Sequence, residues 1–311
     1  MYFIGIDIGG TWLKAAITDE NYRILNKISI KVKQIINSPL ESLENIIKEL
    51  AKDKINEIFG IGIAAAGKLD FKNFLIIFSP NSSIRNLNVT PIEEKFNKPI
   101  KLINDGVAAA LAEWKIGAGI NYENIVFVNI GSGIGGGIIV DNHLLMGKEG
   151  NAHEFGHMII DIYGTMVCKC GGRGHWEAYT SGNGLINYCS YLAKNFNYKT
   201  NFLNKVLFEN FSTQEIFEYA RKGDEFALYV INEANRINSI GMANLINLYD
   251  PEIILMGGSV VMNNIDLIIN SLNSSIHEFS FNSPPKIVPS KLGENASIIG
   301  AIIFLRENYE F

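Results

Sequence analysis

His153-Glu-Phe-Gly-His157 matches the zinc-peptidase pattern H-E-x-x-H, and Glu177 lies twenty residues past His157, where one class of those enzymes places a third ligand. That chemistry needs both histidines one turn apart on a helix, a glutamate poised as base, and an open metal position for water. The neighbouring residues argue against it. Gly150 precedes the pentapeptide and Gly156 lies inside it, each weakening a helix by about 1 kcal/mol relative to alanine. The following MIIDIYG, residues 158–164, is rich in β-branched isoleucine and predicts a strand. Glu177 follows the glycine-rich CKCGGRGHW, the wrong setting for a helical ligand. Cys168, Cys170 and His175 compete for any metal. With His157 they give two sulfurs and two nitrogens within nineteen residues, a tetrahedral set for a closed, structural zinc. On this reading His153 is an incidental loop residue and Cys189, in the helical pattern LINYCSYLAK, a buried thiol.

Two glycine-rich stretches suggest phosphate chemistry. Asp7 is followed by Gly9, Gly10 and Thr11, with Lys14 beyond. GSGIGGG, residues 131–137, supplies Gly131, Ser132, Gly133, Gly135 and Gly136. Glycine lets backbone N–H groups approach phosphate oxygens closely, and an aspartate at a strand end can hold Mg²⁺ through its waters. Neither stretch is a P-loop, and neither opens a helix as a dinucleotide fingerprint would. Gly257-Gly258 closes a third apolar run, PEIILM. Asn104-Asp105 joins the strand-like IKLI to the helical DGVAAALAEW. Taken alone, Asp105 reads first as a helix N-cap; a kinase would give it a second job, as a general base that takes the proton of a hydroxyl during phosphoryl transfer. Trp12 reads as packing.

The elements that would position these residues alternate between strand and helix, which indicates an α/β protein. YFIGIDIGGTWLKAAITD and NIVFVNIGSGIGGGIIVDNHLL each read as a β-hairpin around a glycine turn. IFGIGIAAAG and KPIKLIND read as buried strands; residues 39–54, 105–116, 224–249 and about 296–308 read as helices. Two glycine hairpins about 120 residues apart predict two related lobes with a cleft between them, hinged at GAGIN, residues 117–121. The resulting division is a small lobe over 1–118, a larger lobe over 119–295 carrying the cysteine–histidine cluster, and a helix over 296–311 returning to the small lobe. The composition, 47% hydrophobic and 19% charged, is that of a globular protein with a sizeable core. A net charge of −5 offers no broad basic surface for nucleic acid. No apolar run reaches the roughly 18 residues of a membrane span, the start carries no basic leader, and three cysteines make a poor disulfide framework. These features predict a cytoplasmic protein.

The motifs DIGGT, SPN at 79–81, ND at 104–105, GSGIGGG, ExGH at 154–157, CxCGxxGxxE at 168–177 and ILMGGS span nearly the whole chain. Together they resemble the ROK family (repressors, open reading frames and sugar kinases). The resemblance implies the two-lobed actin-like ATPase (ribonuclease H-like) fold, with ATP and Mg²⁺ as cofactors. It implies phosphate binding at the two glycine turns, adenosine beside Gly257 and Gly258, and Asp105 as catalytic base. Gly67, Asn81, Asn104, Glu154, His157 and Glu177 match the sugar-contact positions. Where the family pattern has a third cysteine, this chain has His175, and Ala66-Gly67 stands where Pro-Gly is common. The implied activity is an ATP-dependent hexose kinase acting on the 6-hydroxyl of glucose, with an N-acetylmannosamine or N-acetylglucosamine kinase as the alternative. A small-molecule sugar and a second copy, as a homodimer, are the implied partners. A sugar-responsive repressor would carry a helix-turn-helix ahead of the first hairpin, which here starts within ten residues of Met1. A non-catalytic sugar sensor is the remaining reading outside enzymes.

Overall fold

The computed structural model describes residues 1–308 apart from 80, 81, 83 and 198. One compact unit comprises Met1–Asn121, Gly136–His153 and the chain from Lys291; the other comprises Tyr122–Gly135 and Glu154–Ser290.

The first unit is organised by a five-stranded sheet. Its order is Ile24–Lys31, Trp12–Asp19, Tyr2–Ile8, Ile58–Ala65 and Ile100–Asn104. The first two neighbours of Tyr2–Ile8 differ in direction: Trp12–Asp19 runs antiparallel to it and Ile58–Ala65 parallel. Ile8 lies opposite Ala65, and Ala65 opposite Asn104, so three parallel strands end together. That common carboxyl end is where open α/β sheets carry their ligands.

The last helix, Ala296–Glu307, is apolar on all sides because it is buried on more than one. Ile298, Ile302 and Leu305 pack with Phe3 and Ala16, while Ile299 and Ile303 pack with Leu111 and Ala112 of the helix Asp105–Ile116. Glycines set how close it comes. A Cβ on Gly5 would lie 2.6 Å from the Ile298 carbonyl oxygen, and one on Gly300 would run into the Ala108 backbone.

A second five-stranded sheet has the order His143–Leu144, Ile134–Val140, Ile125–Ile130, Ile253–Gly257 and Lys286–Pro289. Ile253–Gly257 runs parallel to both Ile125–Ile130 and Lys286–Pro289. Residues 136–153 group with the first unit rather than with the sequence around them. The cause is close packing under the Asp105–Ile116 helix: a Cβ on Gly106 would lie 2.6 Å from the Gly136 nitrogen, and one on Gly137 2.5 Å from Ala110 Cβ. The expected lobe over 119–295 therefore does not describe the contacts, since residues 136–153 and the chain from Lys291 group with the first unit.

Two local expectations are not met. MIIDIYG forms no strand: only Ile159 bridges, to His175. The Asp161 carboxylate instead gathers the N–H groups of Tyr163 and Thr165 at 2.9 and 2.8 Å, and the chain turns at Gly164 with φ +62°. Trp12 is not core packing either; it is 43% exposed, with the Lys31 ammonium 5.5 Å from its ring centroid. Among the described residues no helix is long and apolar enough to cross a membrane.

Candidate functional site

In the first unit, the turn after Asp7 is closed by the Gly9 N–H donating to the Trp12 carbonyl at 3.0 Å. Thr11 is exposed and Gly9 and Gly10 are partly so, leaving this turn accessible. Lys14, opposite Asp7 in the strand register, is ion-paired to Glu294 at 2.9 Å, and Lys27 joins the same carboxylate at 2.7 Å. The two lysines hold the Glu294 carboxyl down at about 2.

Asp105 is not the N-cap of its helix. That position belongs to Asn104, whose Oδ1 accepts the N–H groups of Gly106 and Val107 at 2.8 and 3.3 Å. Asp105 is the first helical residue, and its Oδ1 accepts from Gly106 N–H at 2.9 Å. Relieved of capping, its carboxyl is raised by burial to about 6, against the lowering effect of that N–H. Asp7 is raised further, to about 7, by burial and then by the neighbouring charge of Asp105. Its Oδ1 is buried without a hydrogen-bond partner. Two crowded carboxylates with an unsatisfied acceptor form a donor set that fits a hydrated divalent cation.

Gly67 lies at the same sheet end, where Ala66 N–H donates to the Ile8 carbonyl at 3.1 Å. Its φ of +102°, and the Phe78 carbonyl that a Cβ would strike, require glycine there. Asn104 is 4% exposed, and with Oδ1 committed to the cap, any hydroxyl contact would be made by its Nδ2. Asn81 lies outside the described residues.

In the second unit, the glycine turn is closed by Gly131 N–H donating to the Gly133 carbonyl at 2.9 Å. Ser132 is exposed. Residues not singled out from sequence buttress this turn: Gly182 N–H donates to the Gly131 carbonyl at 2.7 Å, and Asn183 Nδ2 to the Ser132 carbonyl at 3.0 Å. Gly258, at φ +89°, bends against Ile130, whose nitrogen a Cβ would approach to 2.7 Å. Glu177 braces the turn from below, its Oε2 accepting from Ile134 N–H at 2.8 Å.

The pentapeptide is not helical in the peptidase sense. Glu154 precedes a single 3-10 turn, Phe155–His157, and Gly156 lets that turn lie directly on the Ile134 carbonyl. His153 belongs to the first unit. It is 1% exposed, with Nε2 3.0 Å from the Gly150 carbonyl, and burial lowers its pKa to about 4. It is therefore an interior residue rather than an incidental one, and not a partner ligand for His157.

The cluster predicted for metal does assemble: the ligand atoms of His157, Cys168, Cys170 and His175 all lie within 4.8 Å of one another. Cys168 Sγ is 3.8 Å from His157 Nδ1, and Cys170 Sγ is 3.3 Å from His175 Nδ1. Zinc–sulfur and zinc–nitrogen bonds of about 2.3 and 2.0 Å give tetrahedral edges of roughly this length. Gly171 and Gly174, at φ +93° and +72°, let the chain double back between the ligands. Burial pushes the Cys168 thiol up to about 12, a cost that a bound cation would reverse. His157 Nε2 lies 3.4 Å from Glu154 Oε2, and Cys168 Sγ lies 3.6 Å from Glu177 Oε1. The cluster thus touches two of the predicted sugar-contact carboxylates.

The sequence pattern of the ROK family matches residues 3–308. A glucokinase from Pyrobaculum calidifontis is 30% identical over 299 residues, covering 96% of this chain and 93% of that protein. The xylose repressor of Bacillus subtilis is 30% identical over 310 residues, covering 96% of this chain and 75% of that one. A solved ROK family glucokinase from Streptomyces griseus, in complex with glucose and AMPPNP, superposes with a TM-score of 0.80 at 30% identity, covering 99% of this chain and 100% of that one.

Proposed function

From the premise that this chain belongs to the ROK family and has its two-lobed actin-like ATPase fold, we propose that it is an ATP-dependent hexose kinase acting on the 6-hydroxyl of glucose. The observation that carries the reading is the carboxylate pair at coincident strand ends, Asp105 free of capping and raised to about 6. A base with that affinity is ionised at neutral pH yet takes a proton more readily than an ordinary aspartate. The sugar O6 attacks the γ-phosphorus, the bond from that phosphorus to the β,γ-bridging oxygen breaks, and the hydroxyl proton passes to Asp105. ADP carries away the bridging oxygen.

Magnesium would be held by Asp7 through its buried, unpartnered oxygen and would neutralise charge on the donor phosphates. The turns that hold Gly9, Gly10, Thr11, Gly131, Ser132, Gly133, Gly135 and Gly136 are proposed to bind phosphate, Gly9 and Gly131 by closing them with their own N–H groups, and Lys14 to add charge. Gly257 and Gly258 are proposed to bound the adenosine. Sugar hydroxyls are assigned to Gly67, Asn81, Asn104, Glu154, His157 and Glu177, and a structural zinc to His157, Cys168, Cys170 and His175.

An ADP-coupled assay over a panel of hexoses and N-acetylhexosamines tests this, with Asp105→Ala beside the parent. Sugar-dependent ADP release that falls at least ~100-fold in the variant is expected. No sugar-dependent release, or undiminished release in the variant, overturns the mechanism. The similarity to a xylose repressor favours one second reading, a sugar sensor without turnover. Calorimetric sugar binding with no ADP release would select it.

A further inference from the structure

The chain passes between the two units at Asn121–Tyr122, Gly135–Gly136, His153–Glu154 and Ser290–Lys291. One helix of the first unit, Asp105–Ile116, is bound to the chain beside three of these passages. At its start Gly106 lies directly against the Gly136 backbone. Near its end stands Glu113, an acid that is 0% exposed. Burying a carboxylate is costly unless hydrogen bonds replace its water. Glu113 draws two of those bonds from distant parts of the chain. Its Oε2 accepts the Ala118 N–H at 2.8 Å, and its Oε1 the Leu292 N–H at 2.7 Å. Ala118 comes just before the passage after Asn121, and Leu292 follows directly on the passage at Lys291.

Both segments are shaped for this grip. The Glu113 carbonyl accepts the N–H groups of Gly117 and Gly119 at 3.0 and 2.9 Å. A Cβ on Gly117 would lie 2.1 Å from Glu113 Oε2 and 2.6 Å from Glu113 Cα, so the carboxylate can fold back here only over glycine. On the other side Leu292 packs with Leu111, Ala112, Ile299 and Ile303. Gly293, at φ +55°, then turns the chain towards the helix Ala296–Glu307. Closing a helix end would account for the bond to Ala118. It does not account for the bond to Leu292, 179 positions from Glu113. An apolar side chain would fill the same space without the cost of burying a carboxylate. What the acid adds is a fixed separation between two segments that leave the unit.

We propose that Glu113 is a positioning residue: its carboxylate pins the chain at two passages to the helix that begins with Asp105. Motion of the chain at those passages then pivots on the element that carries the base. Phosphoryl transfer depends on alignment, and a displacement of about 1 Å can cost about 10²-fold in rate. A pin at the pivot limits that displacement. The kinetic consequence rests on the kinase reading; the pin itself does not.

Hydrogen exchange on the full chain, without substrate, tests the pin. In Glu113→Gln an amide offers one acceptor oxygen where the carboxylate offers two. Exchange at Ala118, Leu292 or both is expected to quicken about tenfold or more, while residues 108–112 keep the parent's rates. Gly117→Ala leaves the carboxyl in place but drives a methyl into Oε2, and should quicken exchange at Leu292 as well. That remote effect exists only if one carboxylate couples the two segments, and it decides the matter even if Glu113→Gln fails to fold. Exchange at Leu292 unmoved by Gly117→Ala overturns the pin. Sugar-dependent ADP release, per sugar-binding molecule counted by calorimetry, should fall about tenfold in kcat with sugar KM within about twofold of the parent's. Quickened exchange with an unchanged kcat overturns the positioning role. A parent that binds sugar but releases no ADP counts against the kinase reading, and the exchange rates then decide the pin alone.

Discussion

Asp7 and Asp105 are placed by regular structure, whereas the four candidate metal ligands sit on chain with almost none. A strand end and a helix start hold the two acids, backed by a sheet and a capped helix, so their crowding exists before any ligand arrives. Between His157 and His175 the backbone makes only isolated bridges and turns, and burial acts against the Cys168 thiolate. In the first place the fold imposes an unfavourable charge arrangement; in the second a cation completes the fold. Disarming the two places should therefore shift stability in opposite directions.

The largest effect on turnover is expected from Asp7→Asn, with kcat down by roughly 10²–10³-fold, as for loss of one preorganised electrostatic group. Its stability effect is the sharper test. The Asp7 pKa is raised from 3.8 to about 7 in the folded chain. The protonated form thus contributes stability that is complete below about pH 4 and lost as pH rises through 7. Asp7→Asn should raise Tm at pH 7.5 in magnesium-free buffer and change it little at pH 4, read by calorimetry. A lower Tm at pH 7.5 would mean that the ionised acid is already satisfied, and the contrast between the two regions would fail.

Cys168→Ser should do the reverse. Metal content, measured by mass spectrometry, should fall to a small fraction of the parent's. The loss of ligand-driven folding should cost several kcal/mol. Limited proteolysis should then cut within 158–174, while the first unit stays intact. Retained metal with an uncut loop would show that the remaining contacts suffice without the fourth ligand.

Gly106→Ala should act on Asp105 from behind. The added methyl meets the Gly136 backbone at 2.6 Å, and backbone cannot yield as the end of a flexible side chain could. Overpacking of this kind costs about 1–3 kcal/mol, and the displaced helix start should lower kcat about tenfold with little change in sugar KM. An unchanged kcat would show that the base is not positioned by this contact.

The two regions were also unequally legible. The helix over 105–116 follows from its alanines, and the ligand set from four residues within a span of nineteen, because both depend on neighbours in sequence. Asn104 and Asp105 are both cap-forming types side by side, so sequence alone leaves Asp105 with two competing roles until the Asn104 side chain is seen on the Gly106 N–H. MIIDIYG departs from its strand-like pattern because β-branched residues suit a strand only where another strand is available to pair. Here Ile159 and Ile162 face water and Asp161 bends the chain. The contact of Gly106 with Gly136 joins residues thirty apart through absent side chains, a signal that no side-chain pattern carries.

His153 is the mildest test, because it adjoins the metal loop in sequence but is buried in the first unit. Its pKa is lowered from 6.5 to about 4 by burial, so the neutral ring contributes stability that is present above 6.5 and lost as pH falls through 4. His153→Ala should therefore cost about 1–3 kcal/mol at pH 7.5, from the lost bond to Gly150 and the space left behind. Near pH 4 that deficit should shrink, since the parent's own ring then charges. Metal content should not move, because none of the four ligands depends on the ring. Metal lost together with stability would mean that the buried histidine supports the loop after all, and that the pentapeptide acts as one unit.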